Sequence, residues 1–334
     1  MAKIVLGMGT SHGPMLVTPP HTWDSRVPDD RRSTHHFEGR QWRFDELVEF
    51  RRAENLHAQT TPEVWRARHA ACQAAIGRMS QILDDARPDV VVIVGNDQME
   101  IFDDTCVPAF SVMWGETIVN NMISEQKIAA LPQGVAHAMP GYMPQTASYS
   151  GVPALARHII ETAIAERFDV AALKRLSETE TPHAFGFVFR QLMKDRVVPT
   201  VPVLVNTFYP PNQPTIGRCY EFGRALGRAI ASWDSDLRVA LIASGGLTHF
   251  VIDERVDHAI LDAMKAHDPA SVEALGEAIF QAGTSEIKNW IPVAGAMDEL
   301  GFDMELIDYI PCYRTEAGTG NAMGFACWRP QQPC

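Results

Sequence analysis

Four short stretches of this sequence carry side chains able to do chemistry at the ends of apolar runs. "GTSHGPML" places His12 just beyond a first strand. "VVVIVGNDQMEIF" runs five β-branched residues, Val90 to Val94, into Gly95, Asn96, Asp97, Gln98 and Glu100. "IASGGLTHF" places His249 just beyond another strand, and "TPHAFGF" sets His183 between Pro182 and a helical stretch. An imidazole titrates near neutrality and also ligates metals, so each histidine could move a proton or hold an ion. Any one of them alone reads as a hydrogen-bonded structural residue. Several at the carboxyl ends of strands gain weight, because such ends share one rim of an open α/β sheet, where ligands bind.

Other site types are excluded. There is no GxxxxGK[ST], and "GMGTSHG" lacks the spacing of a dinucleotide loop. There is no GxSxG, and "HAQTTPE" is not a zinc-protease helix. Ser244 with His249 could be taken for a nucleophile and its base, but Ser244 runs into glycines without the strained elbow that exposes such a hydroxyl.

The elements that must position these residues alternate between strand and helix. After the first strand, residues 18–62 form a polar stretch dotted with aromatics, too long for a simple connection. Within it, 44–57 is compatible with a helix, and His57 lies there. Thr61 and Pro62 suit the N-cap and first position of a long amphipathic helix. The strand at 90–94 reads as buried on both faces. An irregular segment follows at about 131–150, then a helix at 152–168, a strand at 197–208, the helix "IGRCYEFGRALGRAIASW" and a strand at 238–246. Helices are expected near 254–266, 270–281 and 284–299, and "MELIDYIPCY" and "NAMGFACW" read as closing strands. The pattern predicts an α/β fold in a single domain, about 1–330.

The chain has 334 residues, 46% of them hydrophobic, enough for a full core. Its 41 acidic and 29 basic residues give a net charge of -12, with no basic run, which argues against nucleic acid and against an anionic membrane surface. No apolar run is long enough to span a bilayer, and the N-terminus lacks the features of a signal peptide. Six scattered cysteines without a CxxC pair point to a reducing compartment, the cytoplasm.

"GTSHGPML", a strand ending in "GNDQ", "PHAFGF", "SGGLTH", "GTSEIKNW" and "GTGNAMGFACW" occur in an order that resembles the class III extradiol ring-cleavage dioxygenases, the superfamily of the catalytic subunit of protocatechuate 4,5-dioxygenase. The resemblance covers nearly the whole chain, with 18–62 as an insertion relative to shorter members. It implies an α/β/α sandwich around a mixed sheet and one Fe(II) held by two histidines and a glutamate. Such a set leaves coordination positions open for a small catechol-like or heteroaromatic diol and O2. On this resemblance His12 and Glu286 are metal ligands, and His183 and His249 are the acid and base. Glu286 outside such a motif would read as a surface carboxylate.

The chain departs from the family pattern twice. Pro182 stands where an acidic residue precedes the family's mid-chain histidine. Gln98 stands where the family has its second histidine ligand. Gln98 binding through its amide oxygen with help from Glu100, His57 filling the gap, and a site no longer holding iron all remain open. The expected activity is extradiol ring cleavage. The alternatives are a metal-assisted hydrolase or lyase on the same scaffold and a metal-free binding protein. No companion small-subunit domain is visible, so self-association into a homo-oligomer is the default expectation.

Overall fold

A computed structural model describes residues 1–143, 145–176 and 180–330. Its strands are β1 (Lys3–Thr10), β2 (Thr34–Phe37), β3 (Arg40–Arg43), β4 (Val90–Gly95), β5 (Phe110–Met113), β6 (Thr117–Asn120), β7 (Ala147–Ser150), β8 (Ala171–Leu173), β9 (Thr200–Val205), β10 (Arg238–Ser244), β11 (His249–Val251), β12 (Phe302–Tyr313) and β13 (Thr319–Pro330). Nine of them form one mixed sheet, in the order β11-β13-β1-β10-β4-β9-β5-β8 with β12 along the other edge of β13. The expected α/β fold around a central mixed sheet is what the chain adopts.

The centre of the sheet is parallel. β1 pairs with β10, β10 with β4, and β4 with β9, all in parallel register. Both faces of these strands are covered, which is why the sequence there runs apolar without alternation. Val90, Val92 and Val94 join a core with the helices Pro153–Ala165, Ile216–Ser232, Glu254–Lys265 and Trp290–Glu299. Val91 and Ile93 face the opposite layer, built on the long helix Pro62–Ala86 and on His183–Leu192. Thr61 caps the long helix, its hydroxyl accepting from the Val64 amide, with Pro62 at the first position.

Three stretches differ from their sequence reading. The helix expected over 44–57 stops at Phe50, and Asn55, at φ +51°, turns the chain through short 3-10 segments. The one expected over 270–281 is a single turn, Pro269–Glu273. The stretch 284–299 is two elements, a 3-10 segment Ala282–Asn289 and the helix Trp290–Glu299. Residues 18–62 fold over the β11 end of the sheet. Phe37, Trp42, Phe44 and Leu47 make a small separate cluster there with Val251 and Ala317.

Candidate active site

The register of the parallel strands brings the chemistry together. Thr10 lies opposite Ser244, and Ala243 opposite Val94, so β1, β10 and β4 release the chain side by side at His12, Gly245 and Asn96. His12 is buried, with Nδ1 3.0 Å from Ser244 Oγ, and the Ser244 hydroxyl lies 2.6 Å from Ala184 O. A hydroxyl has one proton, and Ser244 gives it to that carbonyl. It therefore accepts from His12 Nδ1–H, which leaves the His12 lone pair on Nε2.

That lone pair faces Glu286. His12 Nε2 is 3.0 Å from Glu286 Oε2, which also accepts from the Gly246 amide at 3.1 Å and lies 3.6 Å from His249 Nε2. Glu286 Oε1 accepts from Gln98 Nε2 at 3.1 Å and Asn96 Nδ2 at 3.3 Å. Asn96 is itself oriented, because its Oδ1 accepts from Asn289 Nδ2 at 2.8 Å. Burial works against the Glu286 charge, but His249 and His12 outweigh it and hold the carboxyl well below its usual range. This glutamate comes from the 3-10 segment, not from a regular helix face.

His249 Nδ1 sits 2.7 Å from Leu247 O, so this ring also carries its proton on Nδ1 and presents Nε2. The turn that holds it is pinned by Asp257, which accepts from Thr248 N at 2.8 Å and Thr248 Oγ1 at 2.6 Å. Gly246 is required by close approach, since a Cβ there would stand 2.3 Å from His249 Cε1. His183 follows the same rule. Its backbone N–H donates to Glu100 Oε1 and its Nδ1 to Glu100 Oε2, both at 2.8 Å. Glu100, 83 residues away in sequence, thus supplies the carboxylate that Pro182 does not.

All three imidazoles therefore engage Nδ1 and leave Nε2 for the cavity. His12, His183 and Glu286 each offer a ligand atom, and these atoms lie within 4.8 Å of one another. Burial lowers the His12 pKa despite the pull of Glu286. Burial also opposes charge on His183 and His249, but Glu100 lifts His183 to about 9, and Glu286 raises His249. Those two directions belong to a site without a cation. A dication among the rings would repel the same protons. The His12–Glu286 pair shows that the residues fit one. Two lone-pair atoms at 3.0 Å, on a histidine that burial keeps from protonation, attract each other only through a positive centre between them.

Gln98 is half-buried and acts here as a donor. Its Nε2 reaches Glu286, and its Oε1 accepts from Tyr209 Oη at 3.2 Å. His57 is exposed on a 3-10 turn, Leu56–Gln59, and does not border the cavity. The cavity itself is about 240 Å³, small for a ligand site, with His12, Gln98, His183, His249 and Glu286 all on its wall. Sequence reasoning missed Tyr142, whose hydroxyl donates to His12 O at 2.8 Å and whose ring packs edge-on against His183. Its only sequence signal is its place in the irregular 131–150 segment.

The family model for the catalytic LigB subunit of aromatic ring-opening dioxygenase matches residues 63–318, which hold Gln98, His183, His249 and Glu286 but begin after His12. A gallate dioxygenase of Pseudomonas putida is 37% identical over 108 residues, 31% of each chain. A 2,3-dihydroxyphenylpropionate/2,3-dihydroxicinnamic acid 1,2-dioxygenase of Comamonas testosteroni is 26% identical over 183 residues, 54% of this chain and 49% of that one. The matched segments thus span between about a third and a half of the length of these relatives. With a family model matched over most of its length, the chain belongs to the LigB family of aromatic ring-opening dioxygenases.

Proposed function

We propose that this chain is a non-haem Fe(II)-dependent extradiol-type dioxygenase that opens the ring of a small catechol-like or heteroaromatic diol with O2. The observation that carries the reading is the convergence of His12, His183 and Glu286 ligand atoms on one cavity wall, each oriented by its own hydrogen bonds. His12 and Glu286 would hold the metal, and the third place falls to His183 by proximity or to Gln98 by position in the strand-end motif. The ion, when bound, would bring diol and dioxygen together and draw the diol toward its anion. The relatives' names describe enzymes for gallate and for dihydroxyphenylpropionate, both dihydroxylated or trihydroxylated rings.

The chain's own groups then have definable work. His249 Nε2, unprotonated and facing the cavity, accepts a phenolic proton, and the nearby Glu286 carboxylate stabilises the imidazolium that results. His183, if not a ligand, returns a proton, its ring held by Glu100. Tyr142 holds the His12 carbonyl and so fixes the turn that aims His12. Among the described residues no helix is long and apolar enough to cross a membrane. We read the protein as cytoplasmic and self-associating, with Cys72, Cys106, Cys219, Cys312 and Cys327 all free thiols. Cys334 lies outside the described residues.

The test is metal analysis of anaerobically purified protein, then oxygen consumption on a panel of diols. One Fe(II) per chain and oxygen uptake that depends on the diol are expected. Bound metal without oxygen uptake on any diol would point instead to a hydrolase or lyase. Protein that retains no metal would point to a binding protein.

A further inference from the structure

We propose that Arg26, contributed by the 18–62 segment, selects the substrate by pairing with a carboxylate carried on the diol. The proposal rests on the ring-cleavage reading for the hydroxyl end of the molecule and concerns its other end.

Arg26 and Arg314 are the two guanidinium side chains on the cavity wall. Arg314 is neutralised: its Nε and Nη2 donate to the two oxygens of Asp30 at 2.7 and 3.0 Å. Arg26 has no such partner. Among the described residues no carboxylate stands within ion-pair distance of it, and its buried Nε makes no hydrogen bond. Its stem is nonetheless held in place. It lies across Gly134, where a Cβ would sit 2.2 Å from Arg26 Cγ, so the glycine is the seat that lets the side chain lie against the 131–150 segment. The guanidinium is 6.0 Å from the centre of the Phe250 ring, which borders the same cavity.

A surface arginine with no partner would be ordinary. An arginine seated on a glycine, half-buried at the cavity wall and unpaired is costly unless something arrives to pair with it. Burial and the neighbouring Arg314 charge both press its pKa down, and an incoming anion relieves both. The planar fork of a guanidinium matches a carboxylate bidentately, and the cavity of about 240 Å³ leaves little room for a bulkier anion beside a ring. A diol with an uncharged substituent would leave Arg26 desolvated and unpaired, which is how a site rejects a close analogue.

The test compares acids with their primary amides: 3,4-dihydroxybenzoate and 3-(2,3-dihydroxyphenyl)propanoate, each beside its amide. Binding to metal-replete protein is measured calorimetrically without oxygen, and oxygen uptake is measured separately. At least one acid should bind about 10- to 100-fold more tightly than its amide, the range expected of a charge-assisted pair. Arg26→Gln should collapse that ratio toward one, and Arg26→Lys should restore part of it. A melting curve for each variant checks that it is folded. Equal affinities for acid and amide in the parent, including no measurable binding of either, would overturn the proposal. So would a ratio that survives in both variants. Failure of the ring-cleavage reading looks different: the acid–amide ratio and its dependence on Arg26 would remain, while no diol consumed oxygen.

Discussion

His12, Asn96, Gly246 and Glu286 meet at the ends of strands buried on both faces, and every polar atom named among them is engaged by another. Arg26, Tyr142 and Phe250 reach the same cavity from a 3-10 turn, an irregular segment and the short strand β11. The floor is thus set by register: once β1, β10 and β4 pair, its side chains have nowhere else to point. The rim is set by packing of loops on that floor, and it keeps polar groups unspent. The difference separates two tasks. A floor with satisfied hydrogen bonds can hold its groups in one geometry, which metal binding and proton transfer need. A rim with unspent donors can choose what enters.

The hardest way to break the floor is to remove Glu286, the acceptor shared by His12, Gln98, Asn96 and the Gly246 amide. Glu286→Ala should retain no metal by elemental analysis and show no measurable oxygen uptake. Its circular dichroism should be that of the parent, but its melting temperature should fall, because several buried donors lose their acceptor at about 1–3 kcal/mol each. Unchanged metal content would show that the carboxylate is not a ligand. His249→Phe should strike turnover alone, by about 10²- to 10⁴-fold, the usual contribution of an acid–base group. If it also emptied the metal site, His249 would belong among the ligands.

Glu100 tests a part of the floor that comes from a loop. Glu100→Gln keeps a hydrogen-bond acceptor for His183 but removes the charge. A conserved-geometry change of this kind beside a ligand or base typically costs about 10- to 100-fold in activity or metal affinity. In metal-free parent protein His183 sits above its ordinary value, at about 9. A raised histidine stabilises the fold fully below 6.5, its model value, and that stabilisation is lost as pH rises through about 9. Melting temperature of the metal-free parent should therefore decline over that window, by an amount of the order of 1–3 kcal/mol. The Glu100→Gln profile should be flatter there, and an NMR titration should return His183 toward the ordinary range. Identical profiles would mean that Glu100 does not set the charge of His183.

The floor was legible in the sequence because its signals are local. Apolar runs broken by "GTSH", "GNDQ" and "SGGLTH" mark strand ends, and parallel strands expose those ends on one side of the sheet. That His12 and Ser244 would share a hydrogen bond needed the pairing of Thr10 with Ser244, 234 positions apart, which no local pattern carries. Glu100 was read as a helper of Gln98 because the two are neighbours in sequence. The turn after β4 sends them apart instead: Asp97 accepts the amides of Glu100, Ile101 and Phe102, and Glu100 swings to His183. The helix expected through 284–299 hid a 3-10 entry, and the extra turn geometry is what lets Glu286 face three strand ends. The rim was invisible for a physical reason. Arg26 and Tyr142 sit in stretches without periodicity, where position depends on tertiary packing alone.

The smallest expected effect lies where floor and family pattern disagree. Gln98 donates to Glu286 and accepts from Tyr209, so in this chain its amide steers the carboxylate. Gln98→His changes volume little and should cost less than about 1.5 kcal/mol in stability. Asn96 still donates to Glu286 Oε1, so the carboxylate keeps one of its two amide partners on that oxygen. An imidazole is a better Fe(II) donor than an amide, and a histidine here would restore the family's ligand set at this strand end. Anaerobic Fe(II) titration should therefore show affinity raised in Gln98→His, by about 10-fold on the scale of ligand-shell changes. Turnover need not follow, because an added ligand fills a position that the diol or dioxygen would use. Equal or weaker Fe(II) binding would place position 98 outside coordination reach. The third ligand would then be His183, and the amide at 98 would be a steering group that has replaced a ligand altogether.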